Sequence, residues 1–229
     1  SLEVPDMTTE APFFCLTREG EYATSYGDLQ VGEATFKQEN YQDVIKEFHE
    51  PYSNANFVVK EDKPYFVGSL ARVNNNFDQL SSKAKTFAEK IAFQVPERNP
   101  YKNNLAQAIE LVHHWEEAGR ILGSLEIKHE EPVKPEIKEC HGIAANEAPR
   151  GTLWHEYRID DEGRITYANI VAPTTQDLLA MQTDIAQLVQ ICLDAGKERD
   201  AIVMEVEKLI RAYDPCFSCA THFLEVNWE

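Results

Sequence analysis

Arg211-Ala212-Tyr213-Asp214-Pro215-Cys216-Phe217-Ser218-Cys219-Ala220-Thr221-His222 is the stretch on which the reading of this chain turns. It contains C-x-x-C followed by x-x-H, and a tight turn between two such cysteines brings both sulfurs to one side of the backbone, where they can share a soft metal ion. Spacing alone leaves two plain readings open, half of a structural zinc site or a redox C-x-x-C. A structural zinc site needs four ligands, yet Cys15, Cys140 and Cys192 stand singly, with no second C-x-x-C. A redox pair normally follows a strand and opens a helix whose dipole lowers a thiol pKa. Here the pair follows a helical pattern of Ile202, Val206, Leu209, Ile210 and Tyr213, ended by Pro215. Something other than a second C-x-x-C must complete the site.

Working back along the chain, Leu178, Met181, Ile185, Leu188, Val189 and Cys192 mark a long helix, with Thr174 and Thr175 as caps and Ala195-Gly196 as its stop. Before it, two apolar runs at 151–159 and 164–171 flank an acidic turn ending in Gly163, the clearest hairpin pattern in the sequence. Residues 126–139 mix Glu, Lys, Pro132 and Pro135 and read as a surface loop joining subregions 3–125 and 140–228. Upstream, Leu105, Ala108, Ile109, Val112, Trp115 and Leu122 define one helix, and Phe77, Leu80, Ala84, Phe87, Ala88 and Ile91 another, the two expected to pack together. Runs at 56–60 and 65–68 around a Pro-containing turn predict a hairpin, 42–49 a short helix, and 13–31 short strands with a turn near Glu19-Gly20. The sum is an α+β chain with a mainly helical core and small antiparallel β hairpins. Ser1, Leu2 and Glu229 read as vector remnants around a segment spanning 3–228.

Composition bounds the function. The 229 residues, 43% hydrophobic, suffice for a real core, and 39 acidic against 22 basic residues give a formal charge of -17. Such a chain would be repelled by nucleic-acid phosphates and anionic membranes. No apolar run approaches a membrane span, and the first twenty residues lack the order of a signal peptide. Five sparse cysteines argue against a disulfide scaffold and for a reducing, cytoplasmic setting.

Three further segments narrow the reading of the C-terminal motif. Glu147-Ala148-Pro149-Arg150-Gly151-Thr152-Leu153 with His155, Ala172-Pro173-Thr174-Thr175-Gln176 and, as a weaker match, Val67-Gly68-Ser69-Leu70-Ala71-Arg72-Val73-Asn74 occur on the same chain as D-P-C-x-x-C-x-x-H. Together they resemble the large subunit of nickel-iron hydrogenases in its cytoplasmic multisubunit form: E-A-P-R-G-x-L-x-H, A-P-T-T-Q and V-G-P-L-A-R-x-N, the last with Ser69 in place of proline. The resemblance covers about residues 56–222. One departure is large: the family's first cysteine pair, in an R-x-C-G-x-C segment, is nowhere in this chain.

The resemblance implies a nickel-iron centre with cyanide and carbon monoxide on the iron, held by four cysteine sulfurs. Cys216 would be a terminal nickel ligand and Cys219 a bridging one. Arg150 would lie over the open metal position, its fixed charge polarising dihydrogen or a departing proton and its donors reaching a cyanide. Pro173 and Thr174 match positions where a backbone N–H and a hydroxyl bond the other cyanide. His222, with the backbone carbonyl of Ile170, would hold a nearby magnesium or iron ion and mark the cleavage point of maturation. The implied activity is reversible oxidation of dihydrogen to protons and electrons, and the chain alone is expected to be inactive because half the cysteine ligands are missing.

The implied partners are the N-terminal half of the large subunit, an iron-sulfur small subunit, and the maturation endopeptidase and nickel-insertion factors. A cut core would expose apolar surface and favour self-association. Two other readings are a non-catalytic metal-binding or scaffold relative and a relative of the quinone-binding subunit of respiratory complex I; retention of Cys216 and Cys219 speaks against the latter. His113, His114, His129 and His141 are expected on helix surfaces or loops and Cys192 in the core, while Cys15 and Cys140 carry no assignment.

Overall fold

The computed structural model describes residues 4–220, 227 and 228. An antiparallel sheet forms first, from β1 (Phe14–Thr17), β2 (Asp28–Val31) and β3 (Ala34–Phe36), followed by a single helical turn α1 (Tyr41–Val44) and a two-stranded pair of β4 (Ile45–His49) and β5 (Asn56–Lys60). Three helices come next, α2 (Ser69–Asn75), α3 (Ser82–Lys90) and α4 (Asn103–Ser124). A second antiparallel sheet, β6 (Cys140–Ala148), β7 (Gly151–Ile159) and β8 (Ile165–Val171), leads into α5 (Pro173–Asp194), α6 (Arg199–Tyr213) and the short α7 (Phe217–Ala220). This is the α+β arrangement read from the sequence. No helix among the described residues is long and apolar enough to cross a membrane.

The long helices follow their sequence signals. Pro173 opens α5 at the position where a missing N–H costs nothing, and the Thr175 hydroxyl donates to the Ala172 carbonyl. At its other end Gly196 takes φ +65 so that Gly196 N–H reaches Leu193 O at 2.9 Å and Lys197 N–H reaches Cys192 O at 3.0 Å, closing the helix in a Schellman pattern. α3 and α4 pack as expected: Ser81 N–H donates to His113 Nδ1 at 3.0 Å and Lys83 N–H to Glu116 at 3.1 Å. The apolar faces of α2 to α6 meet in one core that includes Leu70, Ala84, Ile109, Leu188 and Leu209. A second core, with Phe14, Leu29, Tyr65, Val67 and Trp154, fills the space between the two three-stranded sheets. Both draw on residues from either side of the exposed, irregular stretch 125–139.

Three local expectations are corrected, and two elements were not foreseen. Residues 42–49 are not a helix: one turn cannot propagate without more hydrogen bonds, and Ile45–His49 instead pairs with Asn56–Lys60, placing Phe48 opposite Phe57. The hairpin partner of β5 is thus β4, not 65–68. That second run instead lies beside the segment entering β1, with Phe14 N–H on Phe66 O at 2.8 Å and Phe66 N–H on Pro12 O at 2.9 Å. The expected helix over 77–91 is broken by extended residues at Leu80 and Ser81 between a 3-10 turn and α3. Finally, α2 and β6 carry no clear periodicity in the sequence; β6 exists because all nine of its residues pair with β7.

Candidate metal centre

α6 ends at Asp214, whose left-handed backbone (φ 54) turns the chain, and Pro215 blocks any continuation of the helix. The chain then winds through α7, with Cys219 N–H on Cys216 O at 3.1 Å and Ala220 N–H on the same carbonyl at 3.2 Å. Cys216 and Cys219 therefore sit on one turn. Ser218 Oγ lies between them, 3.3 Å from Cys216 Sγ and 4.0 Å from Cys219 Sγ. Hydrogen bonding from the Cys219 thiol, then from Ser218, brings the Cys216 thiol down to about 7, while Cys219, the partner that keeps its proton, is pushed up. Cys216 N–H donates to the buried Thr174 hydroxyl at 3.1 Å, tying the turn to the start of α5.

Arg150 occupies the turn between β6 and β7. Its Nε donates to Asp214 O at 2.7 Å and a terminal nitrogen to Asp214 Oδ1 at 3.2 Å, while Gln107 of α4 donates to Asp214 Oδ2 at 3.1 Å. The Arg150 charge reaches Cys219 and favours its thiolate. Two glycines make this packing possible. A Cβ on Gly151, at φ +137, would stand 2.5 Å from Val67 Cγ2, and one on Gly68, at φ +101, would stand 3.1 Å from Arg150 O.

Arg72 holds the turn from beneath. Its guanidinium donates to Glu110 at 2.6 and 2.7 Å, to Glu147 at 3.0 Å, to Ser69 Oγ at 3.1 Å and to the Ala148 and Pro149 carbonyls at 2.9 Å each. Burial alone would push the Glu110 carboxyl up, but the charge and hydrogen bonds of Arg72 outweigh it and hold Glu110 below the usual carboxylate range. For Glu147 burial prevails and the carboxyl is raised, although Arg72, Leu16 N–H and the Thr152 hydroxyl favour its ionised form. On α5, Asp177 accepts Val67 N–H at 2.8 Å, and Gln176 accepts from Tyr65 OH at 3.1 Å while donating to Thr152 O at 2.6 Å. Asn103 of α4 accepts Leu70 N–H at 2.9 Å and donates to Ala212 O at 2.8 Å. Sequence reasoning gave no role to Arg72, Glu110, Glu147, Gln176, Asp177 or Asn103. Three of the six, Arg72, Glu147 and Gln176, lie inside the quoted motifs, which was the available signal.

The remaining sequence candidates divide. Pro173 has no N–H, so the amide that the start of α5 offers there is that of Thr174, a correction chemistry alone requires. The Thr174 oxygen is already engaged by Cys216 N–H. Ile170 lies in β8 opposite His155, with its side chain 51 % exposed. His222 lies outside the described residues. His113 is not a surface residue: it is buried and accepts a backbone N–H. His141, exposed at the start of β6, pairs with the fully buried Glu156 at 2.8 Å. Cys192 is core, as expected, and Cys15 is buried beside Asn75 and Asn76, its thiol pKa raised by burial.

Among the described residues no group of three or more His, Cys, Asp or Glu could hold a metal. What is present, two soft sulfurs on one turn beside a fixed cation, fits two corners of a thiolate-bound centre. The chain belongs to the nickel-dependent hydrogenase family, whose sequence model matches residues 26–222. It is 37% identical over 195 residues to sulfhydrogenase 1 subunit alpha of Pyrococcus furiosus, covering 83% of this chain and 44% of that one. It is 32% identical over 201 residues to the NAD-reducing hydrogenase HoxS subunit beta of Cupriavidus necator, covering 82% and 41%. Among solved structures it is similar to an NAD+-reducing [NiFe]-hydrogenase in the H2-reduced state, with a TM-score of 0.76, 25% identity, and coverage of 94% of this chain and 51% of that one. The chain thus spans about half the length of these relatives or less.

Proposed function

We propose that this chain is the C-terminal part of a nickel-iron hydrogenase catalytic subunit, which interconverts dihydrogen with protons and electrons. The observation that carries the reading is the convergence of Cys216, Cys219 and Arg150 on Asp214 and α7, supported by the names of the relatives. Cys216 and Cys219 would be the two sulfur ligands that this chain gives to a nickel-iron centre carrying cyanide and carbon monoxide. That centre, when bound, supplies heterolytic cleavage of dihydrogen. Arg150 is fixed by Asp214 through two hydrogen bonds, and its positive charge would assist departure of a proton or donate to a cyanide. The Thr174 hydroxyl positions the Cys216 backbone, and the Thr174 amide, at the start of α5, would offer a donor to an anionic ligand of the centre. His222 and the Ile170 carbonyl would hold a magnesium or iron ion. Partner polypeptides would supply the other cysteine pair and the iron-sulfur clusters, with nickel-insertion factors and an endopeptidase acting in maturation, all in a reducing cytoplasm.

The test is metal analysis by mass spectrometry with a viologen-coupled hydrogen-uptake assay, on the anaerobically purified chain alone and matured with a polypeptide bearing the R-x-C-G-x-C pair. Little nickel and no uptake alone, with both appearing on assembly and both lost in C219A, is the expected result. Stoichiometric zinc in the chain alone, or assembly without nickel, would overturn it in favour of a structural or scaffold role.

A further inference from the structure

We propose that the outer face of α4 is the docking surface for the polypeptide that supplies the remaining metal ligands, an inference that rests on the function proposed above. The face starts at the site itself, where Gln107 bonds Asp214, the residue that fixes Arg150. Leu111, Trp115, Ala118 and Leu122 continue it at three- and four-residue spacing, so they share one side of the helix with Gln107. Leu111, Trp115 and Leu122 are 69, 80 and 72 % exposed. From Ala118 onward every residue of α4 is exposed, so the helix leaves the body of the protein while still carrying large apolar side chains. Single exposed apolar residues are ordinary, but a continuous stripe marks an interaction surface. A cavity of about 420 Å³ lined by Gln107, Leu111, His114, Ala148 and Pro149 joins the stripe to the loop carrying Arg150.

Two observations select the occupant. Two thiolates without a third ligand among the described residues need a polypeptide seated on this same side of the molecule. More than half the length of the P. furiosus relative lies outside the match. The self-association expected of a cut core is opposed by the formal charge of -17 that each copy carries, so a second copy is the weaker occupant.

Hydroxyl-radical labelling, read by mass spectrometry at Leu111, Trp115 and Leu122, compares the chain alone with the chain assembled on the R-x-C-G-x-C polypeptide, nickel being measured in the same samples. Labelling at these positions is expected to fall by roughly fivefold or more on assembly, and W115E is expected to cut the assembled fraction about tenfold while circular dichroism of the isolated chain stays unchanged. Full labelling in a nickel-bearing assembly overturns the docking surface and leaves the metal reading standing. Protection without nickel does the reverse. Protection that rises with concentration in the isolated chain assigns the face to a second copy and overturns the proposal.

Discussion

Arg72 shows how much of the candidate site depends on one residue that lies outside the turn bearing Cys216 and Cys219. It is buried between Glu110 and Glu147 and caps the carbonyls preceding Arg150. Arg72→Leu leaves two buried carboxylates without their cation, and chemical denaturation should show a loss of about 3–5 kcal/mol; a loss under 1 kcal/mol would mean that the carboxylates find other partners. Asp177 gives a pH-dependent prediction. Burial holds its carboxyl well above the ordinary range, with Val67 N–H acting against that shift. Its folded pKa is the higher one, so its contribution is fully present below the unfolded value, about 4, and is lost as pH rises through the folded value. Asp177→Asn keeps an acceptor for Val67 and cannot ionise, so its stability relative to the wild type should climb from pH 4 to pH 8 in thermal melts. A difference independent of pH would sink this reading. The sequence made Cys216, Cys219 and Arg150 visible because their motifs are chemically distinctive; Arg72 and Asp177 look like any charged residue until burial is known.

At the level of elements, the turn between β6 and β7 and the start of α2 are locked by backbone contact between Val67-Gly68 and Arg150-Gly151. Gly151→Ala must displace Val67 or the turn, and we expect a loss of about 1–3 kcal/mol together with a shifted Arg150, checked by denaturation and by a crystal structure of the variant. The α5 and α6 pair carries the turn bearing the cysteines on a core that includes the fully buried Leu209. Leu209→Ala should cost about 2–5 kcal/mol by leaving a cavity, measured in urea. The long helices were legible because apolar residues recur along them at helical spacing over several turns. β4, β6 and α2 were not, because short or weakly patterned segments take their structure from their neighbours: 45–49 becomes a strand only because β5 lies alongside it, and Cys140–Ala148 only because β7 does.

For the whole molecule, 39 acidic against 22 basic residues create a repulsive field that opposes compaction. Raising NaCl from low salt to about 0.5 M at pH 8 should lift the melting temperature by about 2–5 °C through screening; a constant or falling midpoint would show that ion pairs outweigh net repulsion. The sequence by itself determined the long helices, the 151–171 hairpin, and the cysteine and arginine motifs, because periodicity, turn chemistry and ligand spacing are local properties of the chain. Only the tertiary structure decided that Asp214 bonds Arg150, that Thr174 holds the Cys216 backbone, that Arg72 holds the carbonyls preceding Arg150, and that the outer face of α4 stands open. Those are contacts between residues 42 to 77 positions apart, and the faces that neighbours leave uncovered; no local pattern encodes either.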